Sequence, residues 1–267
     1  MNLLTNPYLL ILMMSPAMAQ SAIELNHFYV TVDSATYAAI EQNSFLKQEF
    51  AAFEKRTTVR ADRSYTGIYF YGTKTYFEFF DSTKENRAVG ETAVAFGVDA
   101  VGAMPQVEGA HRDLITRGWN GRQIPWFYRL SPVPQLAKGL ESWVMEYTPE
   151  FLAEWRPEGG VGQGVTRAEV LRRYKSVLAD RPADGYLDDV TGLTLALPAE
   201  EMERMMHWMG QVKPAVTIRF LPMGQGPHGL RSVSFRLRRA PAERMTVRFG
   251  ARSVLTLRPD KTAIWEF

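Results

Sequence analysis

Residues 25–33 read LNHFYVTVD, and residues 93–99 read AVAFGVD. Both stretches have the β-branched and aromatic content that is typical of a strand, and both end on an aspartate. Their apolar positions coincide when Asp33 is aligned with Asp99, which gives a self-similar period of about 66 residues. The repetition predicts a fold that is built from copies of one unit.

The first copy is predicted to span about residues 25–81. Asp33 and Ser34 are suitable caps for a helix that runs from about 35 to 53. Two strands are expected to follow, at 64–71 and 75–81, and the glycine-containing turn between them indicates a hairpin.

The second copy is predicted to span about residues 90–152. Its first strand should be followed by a helix that ends near 114–118, and then by strands at 126–128 and 142–147. The two copies together form a predicted first domain, residues 20–155.

The rest of the chain is expected to contain weaker copies of the same unit. Residues 156–189 are predicted to be a Pro/Gly-rich linker and a helix, and Thr166 with Glu169 forms a capping box at the start of that helix. Residues 190–267 repeat the order of a strand, a helix opened by Pro198 and further strands. The predicted fold class is therefore α+β, with repeated β-α-β-β-β modules that form curved mixed sheets around a pocket and a second, degenerate C-terminal half.

Composition limits the functions that this chain can have. Of its 267 residues, 46% are hydrophobic and 22% are charged, the formal net charge is +2, and there is no cysteine. Thiol catalysis, disulfides and zinc sites made of cysteine are therefore excluded. The near-neutral balance makes no case for nucleic acid as a partner.

The N-terminal segment has the features of a bacterial signal peptide at residues 1–19. An apolar run from Tyr8 to Met14 is followed by Ala17-Met18-Ala19, which provides the small residues that signal peptidase accepts. The run is much shorter than the roughly 20 residues of a membrane span. The mature chain is thus expected to be periplasmic or secreted, without a transmembrane segment.

The repeated pattern resembles the vicinal oxygen chelate superfamily, which includes glyoxalase-like, bleomycin-resistance and dioxygenase-like proteins. The resemblance rests on residues 25–152, and the stretch 90–118 looks like the opening of a second module in that superfamily. Residues 65–72 and 75–81 also resemble an uncharacterised bacterial family known only as a domain of unknown function. The superfamily resemblance implies paired modules that enclose a pocket.

The same resemblance implies a candidate metal site. In metal-using members, the first strand of each module carries a His or Gln and the last strand a Glu, and these side chains meet at one divalent ion. His27, Glu78 and Glu146 occupy such strands here, whereas Ala93 stands opposite His27. Imidazole and carboxylate ligands suit zinc, iron, manganese or nickel. The alternative is a hydrogen-bonded pocket histidine with Glu78 paired to an arginine.

Three hypotheses about function follow from the predicted pocket and the predicted surface. The resemblance implies metal-dependent lyase, isomerase or dioxygenase-like chemistry on a small oxygenated molecule. The alternative is a binding protein without turnover, which holds a small ligand in an aromatic pocket lined by Tyr29, Tyr69, Tyr71 and Tyr76. A third reading is an interaction protein of the cell envelope that uses the nine arginines between Arg219 and Arg258. The oligomeric state is left open.

Two further patterns have a structural and a functional reading each. Met202, Met205, Met206 and Met209 have helical spacing, which indicates a buried helix face and, as the alternative, thioether ligands for copper. The glycines at 160, 162 and 164 indicate a linker and, as the alternative, an anion-binding loop.

Overall fold

The computed structural model describes residues 23–137, 139–154, 166–224 and 228–267. The predicted signal peptide and the Pro/Gly-rich stretch at 156–164 lie outside these ranges. The longest helix among the described residues has 14 residues, and none of the helices there has the length and apolarity needed to cross a membrane.

The first half of the chain forms an eight-stranded mixed sheet that curves into a half-barrel, in the order β2-β3-β4-β1-β5-β8-β7-β6. Its strands are β1 (Glu24–Val32), β2 (Ala52–Val59), β3 (Ser64–Tyr71), β4 (Tyr76–Asp81), β5 (Thr92–Gly97), β6 (His111–Trp119), β7 (Arg122–Ser131) and β8 (Leu140–Tyr147). The edge strands β2 and β6 approach each other at an isolated bridge between Arg60 and Arg117. The curvature therefore gives the half-barrel an interior.

The half-barrel consists of two four-stranded units with the same strand order. Each unit pairs its first strand in parallel with its last, β1 with β4 and β5 with β8. The units join through the antiparallel pair β1 and β5. This is the paired-module architecture that the sequence predicts, and the α+β fold class is confirmed.

The predicted helix at 35–53 is wrong in its second half. Helix α1 covers only Ser34–Gln42, a π-helical turn covers Leu46–Phe50, and β2 begins at Ala52. Asp33 caps α1 as predicted, because its carboxylate accepts from the backbone N–H of Thr36 at 2.9 Å. The strand signal that was missed is the run FEKRTTV at 53–59, in which buried and exposed positions partly alternate.

The predicted helix of the second unit is also wrong. Residues 99–110 form turns and irregular backbone, and His111 lies on the long strand β6 instead of on a helix. Strands β6 and β7 are joined by Asn120-Gly121, with φ of 47° and 75°. Asn-Gly with both φ values positive is the favoured two-residue hairpin turn, so this dipeptide was the sequence signal for the hairpin.

The second half of the chain forms a six-stranded sheet in the order β10-β9-β11-β14-β13-β12. Its strands are β9 (Leu187–Leu197), β10 (Thr217–Pro222), β11 (Gly229–Leu237), β12 (Met245–Phe249), β13 (Ser253–Leu257) and β14 (Thr262–Glu266). Strands β9 and β10 flank helix α4 (Ala199–Val212) in the chain and are parallel neighbours, whereas β1 and β2, which flank α1, lie at opposite ends of their unit. Strand β11 pairs with β14 in the antiparallel sense, so the last four strands depart from the module pattern.

The main core lies between the convex face of the half-barrel and the second sheet. Trp265 of β14 is fully buried there, with ring centroids 4.9 Å from Phe79 and 5.1 Å from Phe249. Met205 of α4 is part of this core and Met202 and Met209 pack against it, whereas Met206 is exposed. The core-packing reading of the methionine stripe is thus confirmed for three of its four members.

Two short helices plug one end of the half-barrel. They are α2 (Pro149–Glu154) and α3 (Arg167–Ser176), which contribute Phe151, Val170, Leu171 and Tyr174 to the apolar cluster inside. The guanidinium of Arg167 is 2% exposed and holds α3 in place through both carboxylate oxygens of Asp99, at 2.9 and 3.0 Å, and through the Leu25 carbonyl at 2.6 Å. We call this the plugged end. The opposite end, where β1 and β4 finish and β5 and β8 begin, is the mouth.

Candidate functional site

Strand alternation decides which side chains point into the half-barrel. On β1, Phe28 and Val30 belong to the core against the second sheet, whereas Tyr29 lies in a cluster on the other face. On β4, Phe77 and Phe79 likewise belong to the core. His27 directly precedes Phe28, and Glu78 lies between Phe77 and Phe79. Because side chains alternate along a strand, those of His27 and Glu78 both point away from the core and into the interior.

His27 and Glu78 meet near the middle of the interior. The distance between His27 Nε2 and Glu78 Oε1 is 3.9 Å, and both side chains are 7% exposed. The imidazole stacks on the ring of Tyr76 at 4.5 Å and 16°, and it meets the indole of Trp143 edge-on at 5.5 Å. The two predicted residues of the first unit are thus brought together, in aromatic surroundings.

The hydrogen bond to Asn26 decides which nitrogen of His27 carries the proton. His27 Nδ1 lies 2.8 Å from Asn26 Oδ1. The Asn26 side chain also hydrogen-bonds the hydroxyl of Tyr147, which suits its amide N–H₂ and leaves the oxygen for His27. Because Asn26 Oδ1 can only accept, Nδ1 donates. The lone pair of Nε2 is then an acceptor on the side of Glu78.

Burial favours the uncharged form of both groups of the pair. Burial lowers the pKa of His27 to about 3. It also raises the pKa of Glu78 to about 7, against the opposing effects of the Arg56 charge and of a hydrogen bond from Tyr69. The contact is therefore a polar pair in an aromatic interior, with an acid that titrates near neutral pH. The two groups do not form an ion pair, because the imidazole is neutral at any pH at which the carboxyl is ionised.

The four predicted pocket tyrosines fall into two groups. Tyr71 and Tyr76 are buried toward the plugged end, where Tyr71 stacks on Tyr174 of α3 at 5.7 Å. Tyr29 lies toward the mouth, and Tyr69 lies beside Glu78 in the register of β3 and β4. Tyr69 belongs to the same cluster as the side chains of α2 and α3, whereas Tyr29 belongs to a separate cluster with Phe80 and Ala93.

A buried arginine holds the aromatic side chains of the interior in place. The guanidinium of Arg56 lies 4.2 Å from the ring centroid of Tyr69 and 5.0 Å from that of Tyr174. It donates to Glu54 at 3.2 Å and to the hydroxyl of Tyr71 at 3.3 Å. Arg56 is therefore neutralised by its own strand neighbour Glu54, and the predicted alternative of a Glu78–arginine pair does not describe it.

The mouth has a second arginine. Arg87, from the segment between β4 and β5, lies 4.9 Å from the ring of Tyr29 and 5.0 Å from that of Phe80, and it pairs with Glu91 at 2.8 Å. These contacts place a positive charge over aromatic rings on the rim of the interior.

A cleft of about 340 Å³ opens beside the mouth. Its lining includes Glu141, Trp143, Arg129 and His111. Trp143 belongs both to this lining and to the contacts of His27, so its indole separates the cleft from the His27–Glu78 pair. The indole N–H of Trp143 is buried and has no hydrogen-bond partner among the described residues.

Glu146 does not join His27 and Glu78 inside the half-barrel. Val144 of β8 belongs to the core on the convex side, whereas Met145 and Tyr147 belong to the interior. Glu146 shares the parity of Val144, and its two oxygens accept from the backbone N–H groups of Gly102 at 2.8 Å and Met104 at 3.2 Å. The carboxylate thus fastens the segment that follows β5.

The remaining donors do not fit a catalytic metal. No group of three or more His, Asp or Glu side chains in the described ranges is arranged to hold a metal ion. Burial raises the pKa of Tyr69 well above its usual range, so its phenol stays protonated. On the second unit, Ala93 and Ala95 point into the interior where a second imidazole would be needed. One imidazole and one carboxylate fall short of the three protein ligands that such sites use.

Trp143, Arg56 and Arg87 were not singled out from the sequence. In the register of the two units, Ala95 pairs with Trp143 as Tyr29 pairs with Glu78, so Trp143 takes the place of Glu78. The sequence signal for Trp143 was the alternation of side chains along β8, which puts Trp143, Met145 and Tyr147 on one face of the sheet and Glu146 on the other. Arg56 could not be found without recognising β2.

Fold and site together define an α+β protein of paired four-stranded units with a buried polar pair in an aromatic interior. The chain belongs to a family of unknown function, DUF5829, which it matches over residues 25–267. No curated protein matches the chain.

Among solved structures, the chain is similar to a xylose isomerase-like TIM barrel/4-hydroxyphenylpyruvate dioxygenase fusion protein. The identity is 14% and the TM-score 0.38, and the match covers 84% of this chain and 32% of that chain.

Proposed function

We propose that this protein binds a small, uncharged, oxygenated aromatic molecule at the mouth of the half-barrel, against Trp143, His27 and Glu78. The observation that carries the proposal is the buried His27–Glu78 pair, 3.9 Å apart, behind a tryptophan that also lines an open cleft. Ligand sites are concave, mostly apolar and supplied with a few placed polar groups, and this arrangement has that composition.

The polar groups define the ligand's chemistry. The Trp143 indole is a donor without a partner among the described residues, and His27 Nε2 is an acceptor because Nδ1 donates to Asn26. Protonated Glu78 can donate and accept. A hydroxyl or carbonyl group on a flat ring satisfies these groups, and Trp143, which lines the cleft, provides a ring on which it can stack.

Binding without a metal is the form of the proposal that the side chains support. The predicted set of His27, Glu78 and Glu146 is reduced to its first two members because Glu146 faces the other side of the sheet. Recognition then depends on hydrogen bonds and stacking alone.

The test is a titration with 4-hydroxybenzyl alcohol, followed through the indole ¹H–¹⁵N signals of the tryptophans. We expect saturable shifts of the Trp143 signal, identified by its loss in Trp143→Phe, and binding at least about tenfold tighter than that of p-xylene, which lacks polar atoms. His27→Phe keeps a ring against Tyr76 but removes Nε2, and it should weaken binding by about tenfold. Glu203→Gln, on the exposed face of α4, is the matched control. Equal binding of the two probes, or no shift of Trp143, would overturn the proposal.

A second candidate function is proton transfer by Glu78 to or from the bound molecule. It is favoured by the burial of this carboxyl, which raises its pKa to about 7. A general acid or base is most effective when its pKa lies near the working pH.

Acetophenone in D₂O tests this second candidate, since its methyl protons exchange when a base removes them next to the carbonyl. Exchange above the buffer rate that disappears in Glu78→Gln supports proton transfer. Exchange at the buffer rate with the wild-type protein leaves binding as the function of the site.

A further inference from the structure

A second cleft, of about 400 Å³, lies outside the half-barrel near its plugged end. It is bounded by the start of β2, the second half of α3 and the segment 181–187 that leads into β9. Four basic side chains line it, and no carboxylate is among the described residues of its lining. The four are Arg172, Lys175, Arg181 and Arg238.

Two of these cations have only neutral partners in their hydrogen bonds. Lys175 Nζ donates to the carbonyl of Gly72 at 2.8 Å. Arg181 donates to the carbonyls of Lys175 and Ser176 at 3.3 and 2.6 Å. Carbonyl groups orient these side chains without cancelling their charge, so the cleft keeps a positive potential.

The other two cations have carboxylate partners outside the lining of the cleft. Arg172 donates two hydrogen bonds to Glu169, which also lies 3.7 Å from Arg173. Arg238 lies 4.0 Å from Asp188, but Asp188 is held more closely by Arg236 at 2.6 Å. Burial, followed by the positive charge of Arg238, lowers the pKa of Lys175 against the opposing charges of Asp189 and Asp188. An anion bound in the cleft would reduce the repulsion between these positive charges.

Part of the cleft lining is apolar and open to solvent. Above the buried Phe50 and Leu187, Pro182 is partly exposed and Ala183 is exposed. A bare inorganic ion would use the cations and leave this apolar surface uncovered. A molecule with an apolar group attached to its anionic group would cover both.

We propose that this cleft is a second binding site, which takes a small organic anion: a carboxylate or a phosphate monoester on an apolar or aromatic group. The cations at the rim bind the anionic oxygens through charge-assisted hydrogen bonds, and the apolar body covers Pro182 and Ala183. The site is separate from the His27–Glu78 pair and does not depend on its function.

Four probes separate the parts of this proposal: phenyl phosphate, benzoate, inorganic phosphate and benzyl alcohol. Each is titrated into ¹⁵N-labelled full-length protein, and the amide signals of residues 172–187 are followed. Phenyl phosphate or benzoate is expected to bind at least about tenfold tighter than inorganic phosphate and benzyl alcohol. Inorganic phosphate lacks the apolar group, and benzyl alcohol lacks the negative charge. The tighter of the two aromatic anions identifies the anionic group.

Charge-removing variants locate the site. Arg181→Gln and Arg238→Gln should each weaken binding of the preferred anion by about tenfold, while Arg248→Gln, an exposed arginine of β12, should not. Arg181 also hydrogen-bonds the end of α3, whereas Arg238 is 41% exposed, so Arg238→Gln tests charge with little risk to the fold. Glu78→Gln should bind the anion unchanged. No binding of either aromatic anion at millimolar concentration, or unchanged binding in Arg238→Gln, would overturn the proposal.

Discussion

Asp81 and Glu146 hold equivalent positions in the two units of the half-barrel. Each lies near the carboxyl end of its unit's last strand, and each carboxylate accepts hydrogen bonds from the segment that follows the first strand. Asp81 accepts from the Ser34 hydroxyl at 2.6 Å, and Glu146 accepts from the Gly102 and Met104 backbone. The acidic residue that the sequence suggested as a metal ligand is thus the counterpart of a structural aspartate.

Glu146→Gln should therefore affect stability and leave the interior unchanged. The amide removes one of two buried acceptors and faces a backbone N–H with a donor, so we expect a loss of about 1–3 kcal/mol in the free energy of unfolding. Urea unfolding measures this loss. Binding of 4-hydroxybenzyl alcohol should stay within twofold of the wild type, and a selective loss of binding without destabilisation would contradict the structural role.

The metal content of tag-free protein provides an independent check on the same point. With two suitable side chains inside the half-barrel, we expect less than one equivalent of zinc, iron, manganese or nickel after incubation and desalting. Elemental analysis of the wild type and of folded His27→Ala gives the comparison. A stoichiometric metal that His27→Ala loses would restore the metal reading of the site.

Glu78 should make the protein less stable as the pH rises toward neutrality. Its pKa is about 7 in the folded protein, against the ordinary glutamate value of 4.5 that applies to the unfolded chain. A raised carboxyl pKa contributes stability that is fully present below 4.5 and is lost as the pH rises through 7, by up to about 3 kcal/mol. The difference in unfolding free energy between wild type and Glu78→Gln should fall across this window. A difference that does not change with pH would show that Glu78 is solvated.

His27 should have the opposite effect. Its pKa of about 3 lies below the ordinary histidine value of 6.5, so the unfolded chain takes up a proton that the folded protein does not. The stability that His27 contributes is present above 6.5 and is lost as the pH falls toward 3. Urea unfolding of wild type and His27→Gln from about pH 4 to 8 measures it.

The two contributions oppose each other between pH 4.5 and 6.5. The wild type should therefore show little pH dependence from this pair there, whereas each single variant should reveal the slope of the other group. Parallel profiles for the two variants would contradict the buried, uncharged pair.

The β6–β7 hairpin predicts a contrast between two glycines. Gly121 has φ of 75°, so Gly121→Ala should cost about 1 kcal/mol. A Cβ added at Gly118, on β6, would lie no closer than 3.6 Å to another heavy atom, so Gly118→Ala is the control. Thermal unfolding should show a lower midpoint for Gly121→Ala only, and equal midpoints would contradict the turn geometry.

Local patterns in the sequence predicted the duplicated unit, the cap at Asp33 and the shared face of His27 and Glu78. These depend on strand alternation and on capping, which act within a few residues. The strand β2 was missed because the long helical pattern after Asp33 was extended across Asn43, where α1 ends. The strand β6 was missed because the second unit was expected to copy the helix of the first.

Glu146 was matched to Glu78 because both are glutamates on the last strand of a unit. Its position three residues after Trp143 puts its side chain on the opposite face of the sheet, which is the observation that defines its role. The arginines could not be placed from the sequence, since their contacts join distant strands and helices. Arg56 lies over Tyr174 of α3, and Arg87 lies over Tyr29 of β1. Such contacts depend on how the sheet curves, which no local pattern specifies.

The most direct measurement of the central claim is the titration of the Glu78 carboxyl carbon by NMR, with the signal assigned by its loss in Glu78→Gln. A buried acid beside a neutral imidazole should titrate with a midpoint near the pKa of about 7 that its surroundings impose. A midpoint near 4.5 would mean that Glu78 is solvated or paired with a charge, and it would contradict the aromatic interior as the site.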